Sequence, residues 1–209
     1  MRLYSESFND MGPIPARCAF CAPDPKSHVT LSENRNPHLA WDGLPAGTKS
    51  LVLICHDKDV PSKPDDVNKE GRSIPADLPR VDFFHWVLVD LKPDGGPIRE
   101  GEFASAVTAR GKPGPDAPRG ARQGINDYTA WFGGDKDMAG DYYGYDGPCP
   151  PWNDTIVHHY VFTLYALGVE RCPVDKSFRG PDVLKAIQPH VLGTAKLTGR
   201  YSLNPAVQA

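Results

Sequence analysis

Polar and apolar positions alternate most cleanly in His158-His159-Tyr160-Val161-Phe162-Thr163-Leu164-Tyr165. The period of two predicts a strand with His158, Tyr160, Phe162 and Leu164 on one face and His159, Val161, Thr163 and Tyr165 on the other. The first face starts polar and ends apolar, the pattern of a strand whose body lies in a core and whose mouth lines a cavity. Just upstream, Tyr145-Asp146-Gly147-Pro148-Cys149-Pro150-Pro151 is a stiff turn. Proline fixes φ and carries no N–H, so Pro148, Pro150 and Pro151 can form a pocket wall with little entropy left to lose on folding.

Other segments give weaker versions of the same signal. Leu39 to Pro45 predicts a short strand closed by a Gly/Pro turn. Ser50 to His56 is nearly continuous and apolar, which predicts a strand buried on both faces and ending at Asp57. Asp82 to Leu91 returns as a strand, and strict alternation puts His85 on the side of Phe83, Val87 and Val89. Between them, Ser62 to Arg80 reads as a surface loop, long enough to suggest a functional role. From Lys92 to Tyr143 only Glu102 to Thr108 predicts a modest element. Pro181 suits a first helical turn, and Val183, Leu184, Ile187, Val191 and Leu192 extend a helical stripe that Pro189 should break or kink. Gly199 to Leu203 predicts a last strand. This order argues for a mainly β chain of antiparallel architecture with helices added late.

Composition narrows the function classes. A chain of 209 residues with 40% hydrophobic and 23% charged positions can bury the core of one domain, residues 1–209, and is short for two. A net charge of −3 without a basic block supplies no electrostatic footprint for nucleic acid. The 22 prolines and 20 glycines favour short strands and punctuated loops over a helical bundle. The N-terminus lacks an apolar signal core, and no apolar run approaches the ~20 residues of a membrane span, so a cytoplasmic protein is expected. Five cysteines, an odd number, do not suggest a disulfide framework and fit a reducing compartment. Cys18-Ala19-Phe20-Cys21 lacks a second pair and reads as two loop cysteines, and Cys149 reads as a buried, inert thiol near His158.

Three predicted strands carry a polar residue among apolar neighbours: Asp57, His85, and His158 with Tyr160. If the strands converge, the imidazoles and the phenol offer donors, and Asp57 can accept the second N–H of an imidazole. Such a pocket suits phosphate or carboxylate. His56, Asp57, Asp59, His85 and His158 are also legitimate metal ligands, but their spacing matches no metal motif, and no metal is expected. An acid/base pair of Asp57 and His85 on a phosphate ester is the enzymatic alternative. It lacks a G-x-S-x-G elbow or other recognisable nucleophile, so no catalytic residue is assigned.

Trp41-Asp42-Gly43-Leu44-Pro45, Asp57-Lys58-Asp59-Val60-Pro61, Phe84-His85-Trp86, Gly124-Ile125-Asn126-Asp127-Tyr128 and Gly147-Pro148-Cys149-Pro150-Pro151 leading into His158-His159-Tyr160 occur in this order. Together they resemble the blocks of the phosphatidylethanolamine-binding protein family, also called Raf kinase inhibitor proteins, and most closely its bacterial and archaeal branch. The likeness runs from about residue 36 to residue 203. It implies a mainly β fold, an antiparallel β-sandwich with a few peripheral and C-terminal helices, and a small anion cavity lined by Asp57, His85, His158 and Tyr160, walled by Gly147, Pro148, Pro150 and Pro151, and braced by Asp59 and Pro61. It implies phosphate-like anions or phospholipid head groups as ligands, a kinase or protease as protein partner, and no cofactor. Lys58 stands where the family has proline, which places a cation beside the expected anion site. Exposed edge strands are compatible with a homodimer.

Overall fold

Ser50 to Pro61 and Arg80 to Leu91 pair as long antiparallel strands at the centre of a six-stranded sheet. The computed structural model describes residues 1–209. In chain order the strands are β1 (Arg2–Tyr4), β2 (Gly12–Pro13), β3 (Cys21–Asp24), β4 (His28–Leu31), β5 (Ala40–Asp42), β6 (Ser50–Pro61), β7 (Arg80–Leu91), β8 (Arg122–Gln123), β9 (His158–Leu167) and β10 (Val191–Tyr201). The large sheet has the order β2-β10-β9-β6-β7-β8. All its pairings are antiparallel except the two-residue pairing of β2 with β10, so the sheet is mixed but mainly antiparallel, and the chain is mainly β with few short helices, as expected. The pairs β1–β5 and β3–β4 form two small separate sheets.

Alternation along the central strands divides the interior into two layers. Leu51, Leu53 and Cys55 enter a core of 26 buried residues together with Tyr160, Phe162 and Leu164, and the cavity opens on that side. Val52 and Ile54 enter a smaller core with Val183 and Ile187 of the helix α2 (Gly180–Ile187). Gly180 lies so close to β7 that a Cβ there would sit 2.2 Å from the Phe84 ring, which only glycine avoids.

A β-bulge changes the expected face of β7. Cys55 pairs with Trp86 and His56 with Phe84, leaving His85 as the extra residue. His85 therefore shares the cavity side with Phe83, while Val87 and Val89 turn to the smaller core, contrary to strict alternation. Trp86 and Leu88 take the larger core instead. A second irregularity between Asp57 and Val60 lets both residues line the cavity.

Three other expectations change. Strand β6 continues past Asp57 to Pro61, and Lys58 is exposed and does not line the cavity, so its ammonium is not part of the pocket. The helix ends at Ile187, Pro189 sits in a 3-10 turn, and Val191 and Leu192 begin β10 rather than extend the helical stripe. Proline cannot donate the next helical hydrogen bond, and the chain pairs with β9 instead. Glu102 to Thr108 forms only an isolated bridge at Ser105.

Cys21 and Cys149 are joined by a disulfide, which corrects the reading of Cys149 as a free thiol and of Cys18 and Cys21 as two equivalent loop cysteines. The pairing also removes the cysteine argument for a reducing compartment. Cys18, Cys55 and Cys172 remain free and buried. No helix is long and apolar enough to cross a membrane.

Candidate functional site: a cavity at the end of the central strands

Three strands deliver the polar floor of the cavity. Asp57 of β6 pairs with Phe83 of β7 on one side and Tyr160 of β9 on the other. This registry brings Asp57, His85, His158 and Tyr160 to one cavity of about 650 Å³, as the convergence of three strand ends required. All four are at least 97% buried. Pro61, Pro150 and Pro151 also line it. Gly147 and Pro148 stand behind the wall. The Pro148 carbonyl accepts the N–H groups of Phe20 and Cys21, and a Cβ on Gly147 would lie 2.3 Å from the Cys18 carbonyl oxygen. Asp59 faces away from the cavity and accepts both the backbone N–H and Nδ1–H of His159, each at 2.8 Å, which holds β6 to β9.

The two histidines of the floor differ completely in their bonding. His158 is clamped between carboxylates, with Nδ1 at 2.6 Å from Asp57 Oδ2 and Nε2 at 3.1 Å from Asp154 Oδ2. Asp154 is held in turn by both terminal nitrogens of Arg80, at 2.5 and 3.0 Å. Burial alone would lower the imidazole pKa, but the Asp57 charge and the hydrogen bonds to Asp154 and Asp57 outweigh it and raise it to about 9. Burial likewise opposes the charge on Asp57 and on Asp154, and the His158 contacts bring both carboxyls below the usual range. Arg80, Asp154, His158 and Asp57 thus form a neutral buried chain of alternating charges. Both imidazole nitrogens are engaged within it, so His158 has no N–H left for a ligand, contrary to its expected role as an anion donor.

His85 is bonded on one side only. Its Nδ1 lies 2.7 Å from the Asp146 carbonyl oxygen, and because a carbonyl only accepts, Nδ1 carries the proton. Nε2 has no protein partner. Burial lowers the His85 pKa against the pull of Asp57, so the neutral ring presents a lone pair at Nε2. Tyr160 completes the floor. Its hydroxyl is buried and lies close to Asp57, near enough to feel that carboxylate as charge and acceptor, but makes no hydrogen bond of standard geometry. Burial and Asp57 push the phenol well above its usual pKa, so it keeps its proton.

A buried scaffold fixes the wall behind His85. Asp146 takes hydrogen bonds from Asn34 at 2.8 Å and Asn126 at 2.7 Å and pairs with Lys112 at 2.8 Å. Tyr128 of the short helix α1 (Tyr128–Trp131) donates to the Gly147 carbonyl at 2.8 Å and meets the His85 ring edge-on. The long loop after β6 is tied to the same wall, because Asn153 donates to the carbonyls of Asp66 and Arg72 and accepts from the Asn68 N–H. Pro64, Val67 and Asn68 of that loop line the cavity, so the segment covers the mouth as a wall.

Sequence reasoning missed Arg80, Asp154, Tyr128, the Asn34–Asn126–Asp146 scaffold and Asp127, a second carboxylate lining the cavity, which accepts the Phe84 N–H at 2.7 Å. Asn126, Asp127 and Tyr128 lay in a recognised block without an assigned role, but Arg80 is 74 positions from its partner Asp154 and carried no local signal. No group of three or more His, Cys, Asp or Glu residues is arranged to hold a metal ion.

The sheet, the strand-end cavity and the proline wall define a family. The pattern described as "Phosphatidylethanolamine-binding protein" matches residues 4–202, and the chain belongs to that family. Within it the chain falls in the bacterial and archaeal branch called UPF0098. It is 35% identical over 204 residues to a UPF0098 protein of Methanothermobacter thermautotrophicus, covering 96% of this chain and 98% of that one. It is 32% identical to the UPF0098 protein YbhB of Escherichia coli, covering 97% of this chain and all of YbhB. Among solved structures it resembles the putative phosphatidylethanolamine-binding protein homolog CT736 of Chlamydia trachomatis, with a TM-score of 0.64, 26% identity and 96% of both chains covered.

The protonation of His158 sets a pH dependence. Its folded pKa, about 9, lies above the ordinary 6.5, so the stability it contributes is fully present below pH 6.5 and is lost as pH rises through about 9. Asp57 and Asp154 act oppositely, since their depressed pKa values stabilise the fold above the ordinary carboxyl value and that contribution fades in acid. Urea midpoints should therefore fall between pH 7 and 10 in the wild type. A His158→Gln protein should lack that alkaline decline, and an equal decline in both proteins would exclude His158 as its source.

Proposed function

We propose that the cavity is a non-catalytic binding site for a small anion, a phosphate or a phospholipid head group. The observation that carries this reading is the Tyr160 hydroxyl, buried, protonated and, though close to Asp57, without a hydrogen bond of standard geometry at the cavity floor. An unbonded buried hydroxyl costs about 1–3 kcal/mol, a cost that a ligand acceptor removes. His85 Nε2 supplies a second donor once it takes up a proton. None of the 21 lining residues is Ser, Thr or Lys, the two lining cysteines are bonded to each other, and the lining carboxylates Asp57 and Asp127 are engaged by His158 and by the Phe84 N–H, which favours binding over covalent catalysis.

Because the neutral His85 ring offers a lone pair, anion binding requires one proton to enter with the ligand. Affinity for phosphate should fall as pH rises through the neutral range. In NMR titrations with inorganic phosphate the His85 ring signals should move toward the imidazolium position while those of His158, already charged, stay nearly still. Unmoved His85 signals at millimolar phosphate would overturn the reading. Tyr160→Phe is expected to weaken phosphate binding about tenfold. The same change should leave the stability of the free protein unaltered or slightly higher, since it deletes an unpaired polar group.

A further inference from the structure

Cys21 is bonded not to Cys18, three positions away in the same segment, but to Cys149, 128 positions away. It opens β3, and β3 with β4 forms a hairpin that shares no ladder with the six-stranded sheet. The disulfide therefore ties a separate hairpin to the proline wall. Every other tie along that seam is non-covalent. At one end the Pro148 carbonyl accepts the N–H groups of Phe20 and Cys21, and at the other the His28 ring stacks on Trp152 and its Nε2 meets Glu70 at 2.6 Å. Each side is also anchored without the bond. Tyr201 donates to the Cys21 carbonyl at 2.8 Å, and Tyr128 donates to the Gly147 carbonyl at 2.8 Å. A chain held in this way can lose the bond and stay folded.

Exposure separates the five sulfurs. Cys18, Cys55 and Cys172 are free and at most 1% exposed, and Cys21 is 5% exposed. Cys149 is the one cysteine that is only half-buried, and it lines the cavity. A thiolate that enters by the cavity therefore meets Cys149 first. Cys18 does not compete for the partner that is released, because burial and the Glu100 charge push its thiol up to about 12 and keep it protonated.

We propose that Cys21 and Cys149 form a reversible redox site, a latch between hairpin and wall that a dithiol reductant opens through Cys149 in the folded protein. The reductant's thiolate attacks the Cys149 sulfur, the S–S bond breaks, and Cys21 leaves as a thiolate that takes up a proton. The reductant's second thiol then displaces Cys149 and closes the reductant's own disulfide. Two electrons and two protons pass to the protein, and the dithiol is oxidised. The opened seam frees the side of the mouth that Leu31, Pro150 and Pro151 form and leaves the floor of strand ends in place. The latch works whichever ligand the cavity holds.

Treatment of the folded wild-type chain with dithiothreitol, without denaturant, followed by alkylation and mass-spectrometric mapping tests the site. Cys21 and Cys149 should become labelled, Cys18, Cys55 and Cys172 should stay unlabelled, and the near-ultraviolet circular dichroism should persist. Hydrogen exchange of the β3 and β4 amides and of residues 149–153 should quicken about tenfold on reduction, with the ladder between β6 and β9 unchanged. Two single variants locate the point of attack. Glutathione disulfide should modify Cys149 in Cys21→Ser about tenfold faster than it modifies Cys21 in Cys149→Ser. Labelling of the pair only at urea concentrations that unfold the chain overturns the redox site and leaves the bond a structural tie. Reduction of the folded chain with unchanged exchange overturns the latch, and equal rates in the two variants overturn entry through Cys149. The wild-type arms decide the first two points even if a variant does not fold.

Discussion

Asp154→Ala is expected to lower the free energy of unfolding by about 3–5 kcal/mol, because it removes the central anion of a buried chain and leaves two cations facing each other without it. The Asp154 and His158 side chains are each 1% exposed and Arg80 only 12%, so water cannot replace the lost carboxylate at low cost. The change also releases the loop before β7, since Arg80 holds the carbonyls of Asp59 and Pro75 while it is anchored on Asp154. Urea denaturation at pH 7 measures the effect as a lower midpoint at an unchanged slope. Asp154→Asn keeps an acceptor for both neighbours and should cost less. A loss below about 1 kcal/mol for the alanine variant, the size expected of an exposed pair, would show that the chain of charges is solvated in solution.

Cutting the disulfide is the second large perturbation. Cys149→Ser, or reduction of the wild type, is expected to cost about 2–4 kcal/mol. The bond closes a loop with a sequence separation of 128 residues, so it restricts the unfolded chain strongly, and both its cysteines line the cavity. The fold should survive, because Pro148 still accepts two backbone hydrogen bonds from Phe20 and Cys21, and the His28 and Trp152 rings still stack at 3.8 Å between β4 and the wall. Urea midpoints with and without reductant provide the measurement. If reductant lowers the wild-type midpoint and leaves Cys149→Ser unchanged, the bond is the cause. A wild-type midpoint that does not respond would show that the two sulfurs are unpaired in solution.

The elements that were legible in the chain are those whose pattern is local. The strand beginning at His158 was readable because alternation over eight residues sorts side chains by face, and the structure places Tyr160, Phe162 and Leu164 in the larger core as that pattern requires. The helix was readable up to Ile187, but its end was not, because Val191 and Leu192 satisfy a helical stripe and a strand equally well. Pairing of β10 with β9 along its length decided between them. The face of His85 was misread for a similar reason, since a bulge is a property of two paired strands and leaves no trace in one of them. The disulfide was missed because parity of the cysteine count carries no information about which two sulfurs the fold brings together.

The sequence by itself determined that Asp57 and His85 lie on strands, that His158 and Tyr160 open one, and that a rigid proline turn precedes it, since residue type and period suffice for these. Only the tertiary structure decided what each group is free to do. Hydrogen bonding is exclusive, and Asp154 and Asp57 take both nitrogens of His158, so the histidine first singled out supports the floor, while the Tyr160 hydroxyl, without a bond of standard geometry, and the open Nε2 of His85 face the cavity. The apolar body of the cavity was likewise beyond the sequence, because its walls come from segments a hundred residues apart that become one surface only when the sheet closes over them.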